Sequence, residues 1–126
     1  MRIVDLYSVS KQKDRDVGIE IEMEGSGIVI PATGWRLEED GSLRHNPEAI
    51  EYVLDTPVNR KDVTAALQTL QLALDKAGAK LTPSDRCGVH VHINCQQLTV
   101  EQVISFITLY LIREEPLVKW CGEDRE

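Results

Sequence analysis

Between Val17 and Glu24 the chain alternates without a break: Gly18-Ile19-Glu20-Ile21-Glu22-Met23-Glu24. Side chains on a β-strand point to opposite faces in turn. One face therefore carries Ile19, Ile21 and Met23, and the other carries a row of three glutamates. Neighbouring carboxylates in such a row stand about 7 Å apart, and at an effective dielectric near 20 each adjacent pair repels by roughly 2 kcal/mol. Glutamate is also a poor strand former, and no Lys or Arg on the strand offsets the charge. Two environments tolerate this row. One is a solvated outer face, where water screens the repulsion. The other is a divalent-cation site, because hard cations want several carboxylate oxygens converging.

A second strand bears on the choice. In Cys87-Gly88-Val89-His90-Val91-His92-Ile93-Asn94 the apolar set is Val89, Val91 and Ile93, and His90, His92 and Asn94 share the opposite face. Two of the three histidines of the chain thus lie on one face of one strand. Histidine is the commonest metal ligand and also pairs well with carboxylates. A cation site and a purely structural His–Glu pairing both fit. A third strand, Ala49 to Leu54, holds one charged residue, Glu51, in an otherwise apolar run. Such a charge is costly unless it is paired, metal-bound or turned to solvent at a sheet edge. Asp40-Gly41-Ser42-Leu43 reads by itself as a turn.

The remaining chain supplies cover for the apolar faces. Trp35 to Leu37 reads as a short strand, and Ile3 to Val9 as a strand or lead-in. Asn59 is an expected N-cap, and Val63, Ala66, Leu67, Leu70, Leu74 and Ala77 fall on one helical face, closed by Gly78 as a left-handed C-cap. Thr99 and Gln102 form a capping-box pattern that opens a second helix running at least to Ile112, with Pro116 expected to end or kink it. From Val100 to Ile112 that helix is apolar over most of its circumference, so two surfaces should bury it. Strands, helix, strand, helix in this order predict a single α+β domain over residues 1–126. Its sheet is mostly antiparallel, with helices on one face.

Composition narrows the function. With 21 acidic and 14 basic residues the chain carries net charge −7. Such a surface repels phosphate backbones and anionic membranes, so nucleic-acid or membrane binding is not expected. No stretch is apolar for the roughly 18 residues of a membrane span. Cys87, Cys95 and Cys121 are odd in number and lack C-x-x-C spacing, which argues against disulfides and a zinc knuckle and for a reducing cytoplasm.

G-x-E-x-E near the start, then D-G-S-L, a strand Glu followed by Pro, and C-G-V-H-V-H-x-N together resemble the amidoligase family, whose fold is similar to glutamine synthetase and glutamate–cysteine ligase. The resemblance implies an ATP-dependent carboxylate–amine ligase that forms an amide or isopeptide bond through an acyl phosphate. It implies Mg²⁺ (or Mn²⁺) held by Glu20, Glu22, Glu51 and His90, with His92 contacting nucleotide or substrate. Asp40 and Ser42 would help hold the acceptor, and Arg86 and Arg44 would meet phosphate or carboxylate. Glu24 is a weaker candidate, since the strand can curl away from the site by that point. The substrates would be a carboxylate and an amine, such as amino acids or peptides.

The family and its relatives are longer and carry later strands with a pattern like T-x-E-x-R. This sequence ends at Arg125-Glu126 without such a segment. The chain is therefore read as the N-terminal part of a longer catalytic domain, and the far side of its last helix as meeting the missing C-terminal half or a second copy. The rival reading is a non-catalytic binding or assembly module on a degenerate ligase fold. A metal-dependent hydrolase using the H-x-H strand fits less well: its usual barrel needs about 250 residues, and a carboxylate-rich cluster suits Mg²⁺ better than Zn²⁺.

Overall fold

A computed structural model describes residues 1–5, 16–39, 43 and 49–121. The chain divides into two compact units, Arg15–Ile93, and Met1–Asp14 with Asn94–Glu126. Asp40, Ser42 and Arg44 lie outside the described residues.

The larger unit is built on β1 (Asp16–Ser26), the long alternating strand. It pairs antiparallel with β3 (Ala49–Leu54) and β6 (Val89–Ile93) on opposite edges: Ile21 stands across from Tyr52 on one side and from Val89 on the other. Strand β2 (Trp35–Glu38) extends the sheet beyond β3. Two short strands, β4 (Val58–Asn59) and β5 (Lys80–Leu81), pair with the two ends of β1. The result is an open antiparallel sheet of six strands. With helices α1 (Val63–Ala77) and α2 (Val100–Cys121) it makes an α+β protein. The short β4 and β5 are too brief for periodicity to reveal.

Whereas Val89, Val91 and Ile93 of β6 are exposed, helix α1 covers the part of the apolar face formed by β1, β2 and β3. Its Leu70 and Leu74 are buried against Ile19 of β1, Trp35 of β2, and Ile50, Tyr52 and Leu54 of β3. The Trp35 indole Nε1–H donates to the Ala66 carbonyl of α1 at 3.1 Å, which satisfies the one polar group of that side chain. Asn59 caps a 3₁₀ turn, Arg60–Asp62, that leads into α1: its side-chain oxygen accepts from Lys61 N–H at 3.3 Å. At the other end Gly78 takes the left-handed conformation, φ 68°, as the C-cap position requires.

Tyr52 pins the segment that follows β1. Its side chain is fully buried, and its hydroxyl lies 2.6 Å from the Ile28 carbonyl and 2.7 Å from the Ile30 carbonyl, while accepting from Ile30 N–H at 3.3 Å. Burial pushes the phenol pKa up, so the group stays a donor. Tyr52→Phe removes the one hydroxyl proton these carbonyls share, while the Ile28 carbonyl keeps its bond from Ile30 N–H at 3.0 Å, and should cost about 1 kcal/mol or more. A urea midpoint that falls with an unchanged slope would match this. An unchanged midpoint would show that the hydroxyl does not hold the Ile28–Ile30 segment.

In the smaller unit the capping box at the start of α2 is complete. Thr99 N–H donates to Gln102 Oε1 at 2.9 Å, and Gln102 N–H donates to Thr99 Oγ1 at 3.3 Å. Of the two outcomes expected at Pro116, an end or a kink, the end is excluded: α2 runs through it to Cys121. The helix has no buried residue: Phe106, Leu109, Leu111 and Trp120 are 59–85% exposed. The expected start at Ile3 is a single 3₁₀ turn, Ile3–Asp5. No helix among the described residues is long and apolar enough to cross a membrane.

Candidate metal and substrate site

The alternation of four strands gathers polar side chains on the sheet face opposite α1. Strand β1 contributes Glu20, Glu22 and Glu24. In β3, Glu51 stands directly across from Glu22, and Glu38 of β2 stands across from Glu51. In β6, His90 stands across from Glu20, and His92 across from Gly18. A Cβ at Gly18 would sit 3.5 Å from His92 Cβ, an ordinary contact.

Glu20 is the centre of this group. Its Oε2 lies 3.3 Å from His90 Nδ1 and 3.2 Å from His92 Nε2. The hydrogen bond from His92, and after it the opposing cost of burial and the bond from His90, set the carboxyl pKa, with the net shift downward. A depressed folded pKa stabilises the fold above the ordinary carboxylate range, and that contribution is lost as pH falls through the folded value. His92→Ala should therefore flatten the acid end of the stability–pH curve, as read from urea midpoints between neutral pH and the onset of acid unfolding. An identical acid limb would remove His92 as the cause.

One ligand atom from each of Glu20, Glu51 and His90 lies within 4.8 Å of the other two. Two carboxylate oxygens and one imidazole nitrogen, brought from three strands, form a donor set that fits Mg²⁺ or Mn²⁺ and keeps positions open for water or phosphate. Glu22 is not in this group, although it faces Glu51 across the strands.

Burial separates the face from a solvated surface. Glu22, Glu24 and Glu51 are only 7–9% exposed. Glu24 is neutralised: Arg86 Nη2 donates to its Oε1 at 2.5 Å. Arg86 belongs to the loop between β5 and β6. That loop is fastened to β1 by Thr82 N–H to the Glu24 carbonyl at 2.8 Å and Glu22 N–H to the Gly88 carbonyl at 3.0 Å. Arg86 therefore serves Glu24 directly, and half of its side chain stays exposed. Burial pushes the Cys87 thiol pKa up, so this cysteine is a neutral wall residue.

Sequence reasoning passed over Arg36. It alternates with the inward Trp35 and Leu37 on β2, pairs with Glu38, and lies across from Val53 on the face that carries Glu51. The alternation W-R-L-E was the available signal. Sequence reasoning also left out Thr82 and Ser84, which no periodic pattern marks.

An open antiparallel sheet with helix α1 on one face, and on the other a carboxylate–imidazole cluster in which Glu51 is buried and His90 and His92 are exposed, defines an α+β protein with a candidate cation site. The family model for the putative amidoligase enzyme matches residues 31–125. The chain belongs to this family. The matched residues take in Glu51, His90 and His92, whereas Glu20 precedes them and is joined to them by geometry. No curated protein and no solved structure matches the chain.

Proposed function

We propose that the chain carries the cation-binding strands of an ATP-dependent carboxylate–amine ligase, with Glu20, Glu51 and His90 as the ligands. The observation that carries this reading is the convergence of those three donors within 4.8 Å in a chain of the amidoligase family. A bound Mg²⁺ or Mn²⁺ would supply neutralisation of the phosphate charge.

The chain's own residues do the rest. Both imidazoles reach one oxygen of Glu20 and so orient its carboxylate toward the cluster. In the proposed reaction a substrate carboxylate oxygen attacks the γ-phosphorus of ATP and ADP leaves. The neutral amine nitrogen then attacks the acyl carbon, phosphate leaves, and the nitrogen gives up one proton as the amide forms. Two anions must meet in the first step, so catalysis is largely charge neutralisation and positioning. Arg36, half exposed on the same face and paired through Nε with Glu38, is the cation there that phosphate would have to draw from its partner. Glutamine synthetase-like architecture accords with the paired-Glu strand and the H-x-H strand lying side by side.

The test is ATP cleavage by the protein with Mg²⁺ and a panel of amino acids and peptides, with hydroxylamine as trap. Carboxylate-dependent release of ADP, with formation of a hydroxamate, is the expected result. Nucleotide binding without cleavage across the panel would instead favour a non-catalytic module on a ligase fold.

A further inference from the structure

Helix α2 belongs to the smaller unit and buries none of its residues. Its hydroxyls and its ion pair lie along one stripe and are satisfied there. Ser105 Oγ donates to the Glu101 carbonyl at 2.8 Å, Thr108 Oγ1 to the Ile104 carbonyl at 2.9 Å, and Lys119 Nζ to Glu115 Oε1 at 2.7 Å. Residues three and four apart are neighbours on a helix surface, so this stripe is the face turned to water. The rest of the circumference is largely apolar, with Trp120 85%, Phe106 62% and Tyr110 49% exposed. Apolar patches of this kind, rimmed by polar residues, mark sites of association.

Two seams run along that apolar surface, each with the alternating three- and four-residue steps of a heptad. One is Val100, Ile104, Ile107, Leu111 and Val118, broken by Glu114. The other is Val103, Phe106, Tyr110, Arg113, Leu117 and Trp120. They differ in kind. A carboxylate set among aliphatic side chains is costly to bury. An arginine among aromatic rings is tolerated, because its guanidinium stacks on them. Aromatic residues and arginine are also what protein interfaces concentrate.

The second seam complements itself in one orientation. Two copies laid parallel would set Arg113 against Arg113. Laid antiparallel so that Tyr110 meets Arg113 of the second copy, the layers pair Val103 with Trp120, Phe106 with Leu117 and Tyr110 with Arg113, each twice. Bulky side chains then face smaller ones in the outer layers, and a cation faces a ring near the centre. The seam has three aromatic side chains, each able to bury roughly 150–250 Å², and at its observed exposure offers roughly 600 Å² per copy. Doubled, that reaches the roughly 1,200 Å² at which specific interfaces begin. We infer that α2 is a dimerisation element, which packs antiparallel on α2 of a second copy of this chain through the Phe106–Tyr110–Arg113–Trp120 seam. Neither the cation cluster nor the ligase reading enters this interface.

Sedimentation equilibrium of the whole chain, without metal or nucleotide, over a concentration series reads the association. A concentration-dependent dimer is expected. Trp120→Ala and Tyr110→Ala should each weaken it at least about tenfold, while Leu111→Ala, on the other seam, leaves it unchanged. Orientation is read by disulfide formation in a background carrying Cys87→Ser, Cys95→Ser and Cys121→Ser. Phe106→Cys and Leu117→Cys chains, when mixed, should oxidise to the mixed pair, and neither should cross-link alone. The state of the unsubstituted chain keeps the test valid if a variant misfolds. A monomer at every concentration overturns the inference, whether or not acrylamide still reaches Trp120, and so does a trimer or larger assembly. A dimer weakened by Leu111→Ala and not by Trp120→Ala, or cross-linked through Leu117→Cys alone, overturns it as well.

Discussion

If Glu20, Glu51 and His90 hold Mg²⁺ or Mn²⁺ as proposed, Glu51→Gln should abolish most of the stabilisation the ion would confer. Glu51 supplies one of only two carboxylates in the three-donor cluster and is buried. Loss of a residue that merely orients a metal ligand costs 10–100-fold in affinity, so loss of a ligand oxygen should cost at least about 100-fold. The consequence is measurable without activity. At a cation concentration 100 times the dissociation constant, the unsubstituted chain gains about 2.7 kcal/mol, and a variant binding 100-fold more weakly gains about 0.4 kcal/mol. Thermal melts across a Mn²⁺ series read this difference. Equal cation-dependent shifts in the two proteins would remove Glu51 from the site. The metal-free chain offers a second check. Like charges directly opposite on paired strands are destabilising, and Glu22 faces Glu51. Relief of that repulsion by Glu22→Gln should leave the metal-free fold as stable or more stable. A marked loss there would show that Glu22 holds the fold.

Gly25→Ala should be the most damaging small substitution in the larger unit. Gly25 has φ 145°, and a Cβ placed on it would lie 2.1 Å from the Lys80 carbonyl oxygen and 2.9 Å from Leu81 Cα. Both obstacles are backbone of β5, so no side chain can swing away. Residues held in glycine-only backbone regions cost about 1–3 kcal/mol, and forcing atoms into filled space adds about 1–3 kcal/mol more. An expected loss of about 3 kcal/mol or more follows. Gly34→Ala is the matched control, with positive φ of 83° but nothing within 4 Å of the added Cβ. It should show only the conformational part. Urea unfolding of the two variants would separate them, and equal losses would show that the close approach of β5 is not what Gly25 permits. Because β5 opens the loop that carries Arg86, Gly25→Ala should also disturb the Glu24–Arg86 pair.

The fold was largely legible because its main elements obey simple periods. Strand β1, strand β6, helix α1 with its Gly78 cap, and the capping box of α2 each repeat at 2 or 3.6 residues or carry a cap of known chemistry. Pro116 left two outcomes open in the sequence, an end or a kink, and the structure excludes the end. A proline removes one helical hydrogen bond and strains the preceding turn, yet the helix on either side of it is long enough to continue. Strands β4 and β5 span two residues each, below the length at which any alternation can be read.

The sequence alone determined which residues share a face: Glu20, Glu22 and Glu24 with each other, and His90 with His92. That follows from the two-residue period of a strand. Only the tertiary structure decided their neighbours and their exposure. Register placed Glu20 against His90, and Glu51 against Glu22; a one-residue slip would have sent each to the other face. The β5–β6 loop, which has no period at all, helped turn a row that could have been water-washed into buried carboxylates. It gave Glu24 an arginine. Burial and register depend on contacts distant in sequence, and for that reason local pattern could name the acidic row without showing which of its members meets the imidazoles and which is paired with an arginine.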